Sequence, residues 1–119
     1  MRLTLLISAL AVALSACGGA AGTSSSVLPP RLTEQASGSD QLLIAAHAVD
    51  DAVVWASGAG GTVVRTTDGG ATWTAVPVTV AGADTLQFRE VVALDARTAW
   101  ALSIGTGASS TIAKTTDGG

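Results

Sequence analysis

Tyrosine is absent from this 119-residue chain, and cysteine, histidine, methionine and phenylalanine occur once each. A single cysteine excludes an internal disulfide, and the one histidine, His47, has no second histidine and no nearby cysteine with which to share a zinc ion. Charge is also scarce: six Lys and Arg stand against nine Asp and Glu, a formal net charge of -3. That balance argues against nucleic acid, which is bound through a basic face that releases counterions. Long apolar runs are missing after residue 16, so nothing there approaches the roughly 18 residues of a membrane-spanning helix. What the chain does have is glycine, 14 residues of it, set among Val, Thr, Ala and three Trp. Turns and short strands suit that composition better than helices, and no 3.6-residue stripe persists beyond the leader.

The first sixteen residues have the three-part build of an export signal: a basic end at Met1-Arg2, an apolar run from Leu3 to Leu14, then small residues. Leu14-Ser15-Ala16-Cys17 resembles the lipobox of bacterial lipoproteins. The resemblance implies that the Cys17 thiol carries diacylglycerol, that the leader (1–16) is cut before it, and that acyl chains hold the product on a membrane. Two or more chains anchor stably where one does not, at about 0.8 kcal/mol per buried CH₂. The other reading is an ordinary export signal with an incidental cysteine. Gly18 rather than Asp follows the cysteine, which by the same resemblance directs the protein to the cell envelope, on the outer membrane facing the periplasm or the cell surface. Residues 17–40 are then the lipidated cysteine and a flexible linker, since Gly, Ser, Ala and Pro offer little to offset the entropy of ordering them.

From Gln41 to Gly119 the chain repeats itself. Val49-Asp50-Asp51-Ala52-Val53-Val54-Trp55-Ala56 aligns with Leu94-Asp95-Ala96-Arg97-Thr98-Ala99-Trp100-Ala101, a shift of 45 residues. Thr62-Val63-Val64-Arg65-Thr66-Thr67-Asp68-Gly69-Gly70 aligns with Thr111-Ile112-Ala113-Lys114-Thr115-Thr116-Asp117-Gly118-Gly119, a shift of 49, so the later copy has four extra residues in the intervening hairpin. Such periods suit four-stranded propeller blades. The predicted strands are 42–48, 52–57, 62–67 and 72–78, then 86–94, 98–103 and 111–116. The all-apolar Leu42 to Ala46 reads as a strand covered on both faces. The expected fold class is all-β, a partial β-propeller: one blade over 41–80 and an incomplete one over 84–119 that lacks its outer strand.

Thr66, Asp68, Gly70, Thr72 and Trp73 resemble the Asp box of BNR-type propellers, with a partial copy at Thr115, Asp117 and Gly119. The resemblance implies a turn between a blade's third and fourth strands. There Asp accepts backbone N–H bonds, Gly takes up positive φ, and the Trp covers the hairpin's base. Val54-Trp55-Ala56-Ser57-Gly58 before Val64-Arg65-Thr66-Thr67-Asp68-Gly69-Gly70, then Leu86-Gln87-Phe88-Arg89-Glu90-Val91 before Ala101-Leu102-Ser103-Ile104-Gly105, are similar to the photosystem II stability/assembly factor-like group. Propellers close with about four to eight blades, and this sequence supplies fewer than two, so the expectation is a fragment of a protein about three times as long. Association of several copies into a composite ring is the alternative.

Catalysis finds no residues here. The sialidase chemistry that Asp boxes bring to mind uses a Tyr nucleophile, and there is none; Asp68 and Asp117 belong to outer turns, remote from an axial pocket. Gly58-Ala59-Gly60-Gly61-Thr62 lacks the helix and Gly-Lys-Ser/Thr ending of a phosphate loop and reads as a hairpin turn. No metal or cofactor is expected. Trp55 and Trp100, at equivalent repeat positions, read as core packing, and Arg65 and Lys114 as charges that blunt a strand against edge pairing. Arg89 and Glu90, in the expected innermost strand of the second blade, are the binding candidates, with an internal ion pair as the plainer reading. The functional expectation is an envelope-anchored, non-catalytic scaffold for a protein or glycan partner. The alternative is the N-terminal part of a sialidase-like surface glycoside hydrolase whose catalytic residues lie beyond residue 119.

Overall fold

The computed structural model describes residues 27–119, so the export signal and Cys17 lie outside the described residues. Val27 to Arg31 are exposed and belong to a separate unit from Leu32–Gly119, which holds all the strands. Among the described residues no helix is long and apolar enough to cross a membrane.

Seven strands form two antiparallel meanders. The first blade runs β1 (Leu43–Ala48), β2 (Val54–Gly58), β3 (Val63–Thr66) and β4 (Thr74–Ala75), hydrogen-bonded in that order. The second runs β5 (Gln87–Ala93), β6 (Ala99–Ile104) and β7 (Ile112–Thr115). The sequence repeat is a repeat of register: Trp55 pairs with His47 and Arg65, as Trp100 pairs with Val92 and Lys114. Each first strand also carries a register shift at the same place, between Leu43 and Ala45 and between Phe88 and Glu90.

Local chemistry sets the turns. Asp50 Oδ1 accepts the N–H groups of Ala52 (2.8 Å) and Val53 (2.6 Å), and Asp95 Oδ1 does the same for Arg97 and Thr98 (both 2.7 Å). A carboxylate gripping the backbone two and three residues on reverses the chain ahead of the Trp strand. Gly58 to Thr62 is a hairpin turn in which Gly58 N–H donates to Thr62 O at 2.9 Å.

The outer strand is much shorter than the predicted 72–78. Thr72 is drawn into the Asp68 turn by its own N–H, and Pro77 has no N–H to continue the ladder, so Thr74 and Ala75 pair with β3 and the Val76 N–H, bonded to Val63 O at 2.8 Å, is the last link. Nor is β1 covered on both faces: Leu42 is 69% exposed, and Ala46 and Ala48 face solvent, because only the side that carries His47 and Ala45 turns toward the second blade.

The core lies between the blades. Trp55, Val63 and Val76 of the first meet Phe88, Val91, Ala93, Ala99 and Ala101 of the second, with Leu86 at the crossover. Trp55 and Phe88 are fully buried, and each such side chain stabilises the stack by roughly 1.5–3 kcal/mol through removal of apolar surface from water. Small alanines opposite a large indole let the two pleated faces approach closely. Gly61 completes the joint. Its N–H donates to Leu86 O at 2.8 Å, its φ is +66°, and a Cβ there would run into Ala83 O, so only glycine fits.

Candidate functional site

The residues singled out from sequence fall into three places: the two aspartate turns, the tryptophan seam between blades, and the bulge in β5.

In the first turn the Thr66 hydroxyl donates to Asp68 Oδ1 at 2.7 Å and accepts the N–H of Gly70 at 2.9 Å. Asp68 Oδ1 also accepts Thr72 N–H at 2.9 Å, and Oδ2 accepts the Thr72 hydroxyl at 2.6 Å. Gly69 and Gly70 take φ of +70° and +89°, the conformation that lets the chain double back around the carboxylate. These donors, the Thr72 hydroxyl first, hold the Asp68 carboxyl down at about 2. A group so firmly ionised carries no proton to give near neutral pH, which fits a clasp and not a general acid. The second turn repeats the pattern more sparsely: Asp117 Oδ1 accepts the Thr115 hydroxyl at 2.9 Å and the Gly119 N–H at 3.2 Å, and the Thr115 hydroxyl is the chief cause of a lowered Asp117 pKa.

Trp73 has a hydrogen-bond partner from the segment before β1. Its indole N–H donates to Gln35 Oε1 at 3.3 Å, while Gln35 Nε2 donates to Gly69 O at 3.2 Å. The composition of residues 17–40 contains no signal for this contact; a Gln in a run of small residues reads as solvated.

Along the seam, the Trp55 indole donates to Asp95 O at 3.1 Å, across the blades. The Arg65 guanidinium lies 5.2 Å from the centroid of that ring and donates to Ala96 O and, at 3.2 Å, to Gly118 O. Arg65 is therefore a clasp between blades and not an edge guard: β3 is paired on both sides, and the carbonyls that Arg65 meets come from the neighbouring repeat. Lys114 repeats half of this, 5.2 Å over the Trp100 ring. The two Trp differ in burial, Trp55 being at 0% exposure and Trp100 half-buried. Asp95, whose pKa is lowered chiefly by the Arg97 N–H, thus serves twice, as a turn former through its side chain and as the acceptor for Trp55 through its carbonyl.

Arg89 and Glu90 are both exposed although they are consecutive, because the register shift interrupts the alternation that buries Phe88 and Val91 on either side of them. A bulge of this kind aims two neighbouring side chains outward. Between the blades runs a groove of about 420 Å³ lined by Trp55, Val76, Val80, Ala101, Thr115 and Asp117. Among the described residues no group of three or more His, Cys, Asp and Glu side chains is placed to hold a metal.

No family model and no curated protein matches the chain. Among solved structures it is similar to one described as "YCF48 bound to D1 peptide", with a TM-score of 0.53 and 24% identity. That match covers 66% of this chain but 24% of the other, so the chain spans about a quarter of that structure's length. The likeness shows the fold, and with the two stacked meanders it identifies Leu32–Gly119 as part of a β-propeller.

Proposed function

We propose that the protein is a non-catalytic propeller scaffold that binds a protein partner and is held at a membrane surface by lipid on Cys17. The observation that carries the scaffold reading is the state of the polar groups. Asp68, Asp95 and Asp117 are all spent on the chain's own turns, while Arg89 and Glu90 stand outward on β5, tied by none of those bonds. A surface with two opposite charges side by side at a bulge suits an extended peptide better than a small apolar ligand. A solved propeller with a peptide bound offers a precedent for this use of the fold. The lipid anchor rests on Leu14-Ser15-Ala16-Cys17 and the export signal before it.

Two experiments test the proposal. Photocrosslinking residues placed at 89 and 90 in cells should capture a discrete protein, and the charge-reversed Arg89→Glu, Glu90→Lys chain should lose it; capture of nothing, or of glycan only, would overturn the partner class. Radiolabelled palmitate should enter the wild-type chain and not Cys17→Ala, and equal labelling would refute the anchor.

A further inference from the structure

The three most exposed large apolar side chains among the described residues stand together in the sequence. Val27 is 86%, Leu28 83% and Leu32 98% exposed, ahead of Leu42 at 69%. Single apolar residues on a surface are ordinary, but three within six positions, in a stretch otherwise made of small and polar residues, call for a partner. Pro29 and Pro30 between them keep the chain extended and carry no N–H, so the stretch has two fewer backbone donors that an apolar phase would leave unpaired.

The exposure of Leu32 is not that of a loose end. Three residues on, Gln35 is clasped: its Oε1 accepts the Trp73 indole N–H at 3.3 Å, its Nε2 donates to Gly69 O at 3.2 Å, and its side chain fills the space that a Cβ on Gly70 would need. Gln41 in turn lies where a Cβ on Gly60 would meet it, and its N–H donates to Ser39 Oγ at 3.1 Å. Gln35 to Gln41 is thus a strap fixed to the first blade, and Leu32 stands bare three residues before its contact with the Asp68 turn.

We propose that Val27, Leu28 and Leu32 seat in the surface of an anionic phospholipid bilayer, with Arg31 at the lipid phosphates, as a second membrane contact beside the lipid on Cys17. Charge and reach point to that occupant. Arg31 is the only charged side chain between Cys17 and Glu34, so the stretch is cationic although the chain as a whole is anionic. A basic residue among apolar ones is drawn to an anionic lipid surface, its stem along the apolar boundary and its head at the phosphates. Val27 is ten residues from Cys17, about 35 Å at full extension, so a lipid on Cys17 keeps these side chains within reach of the bilayer and makes a weak contact persistent. The inference rests on the Cys17 anchor for that reach. Its consequence is orientation: seating Leu32 brings the strap, and with it the Asp68 turn, down to the membrane, where a free tether would leave the propeller to tumble.

The test places a solvent-sensitive fluorophore on an added thiol, Leu28→Cys, Leu32→Cys or Thr106→Cys, in the full chain reconstituted in vesicles of phosphatidylglycerol and phosphatidylcholine, part of the lipid carrying a nitroxide near the headgroup. Labels at 28 and 32 should shift to shorter wavelength and lose about half of their emission to the nitroxide, while a label at 106, in an exposed loop, should do neither. Adding Val27→Ser, Arg31→Ser and Leu32→Ser should return the label at 28 to a water-like spectrum, which separates the contact from attraction of the dye itself. The mass of the N-terminal peptide reports lipid on Cys17 independently. A lipidated chain that floats with the vesicles while both labels stay in water overturns the bilayer contact and leaves the anchor standing, as do labels shielded from water but not quenched, which would mean that the stretch packs on its own chain. Quenched labels on a chain without lipid on Cys17 refute the anchor and support the contact, and a chain that does not float overturns both.

Discussion

Asp68 accepts three bonds from Thr66 and Thr72, and its ionisation is therefore linked to folding. Its folded pKa of about 2 lies below the ordinary 3.8, so the linkage stabilises the fold above about pH 4 and fades as pH falls through about 2. Thermal melts should show Asp68→Asn well below wild type at pH 7, the gap narrowing as the buffer approaches pH 2; a gap that does not change with pH would place the effect elsewhere. The tryptophans should separate just as clearly. Trp55→Ala opens a cavity in a sealed seam and should cost about 3–5 kcal/mol in denaturant unfolding, whereas Trp100→Ala, at a half-buried position, should cost clearly less. Equal losses would mean that the two indoles are equally buried. Spacing in the sequence makes the two tryptophans equivalent, and their shared register agrees. Their different burial was not legible, because burial depends on which face has a neighbour and spacing carries no such record.

At the scale of strands and turns, the prediction concerns Gly61. Gly61→Ala meets both a left-handed backbone and Ala83 O, while Gly107→Ala, at φ +57° with open space around it, meets only the first. Gly107→Ala should cost about 1–2 kcal/mol and Gly61→Ala clearly more, and equilibrium unfolding of the pair isolates the clash. Element positions were the most readable part of the molecule: all seven strands lie within a few residues of the runs of Val, Thr and Trp that mark them. The outer strand was over-extended, since its β-branched residues look alike whether they pair or are captured by a turn, and only Pro77 hinted at an early stop. The bulge at Arg89 left no compositional trace, and the clasp made by Arg65 was misread because its acceptors lie 31 and 53 residues away.

For the molecule as a whole, one core shared by two sheets predicts one transition. Far-ultraviolet circular dichroism and Trp fluorescence of the wild-type chain should unfold together, and Phe88→Ala, a change in the second blade, should lower both midpoints equally. A biphasic curve would mean that each meander is stable alone, which sheets of three and four strands with half of their core in a neighbour are not built to be. What this architecture is for was the least legible layer. The propeller class follows from period and turn chemistry, whereas the outward placement of Arg89 and Glu90, on which the proposed partner rests, becomes visible only in three dimensions.

The hairpin between β6 and β7 holds four residues more than its counterpart, yet Trp100 still faces Lys114 as Trp55 faces Arg65. Growth inside a strand by a single residue would have turned every later side chain to the wrong side, and growth in the loop cost nothing of the kind. Gly105 to Ser110 is thus a corner that takes up length without shifting the ladder, and since Ser103 and Thr111 hold Ser109 O and Ala108 O, grafted epitopes or reporter tags belong at its exposed tip, Thr106 and Gly107.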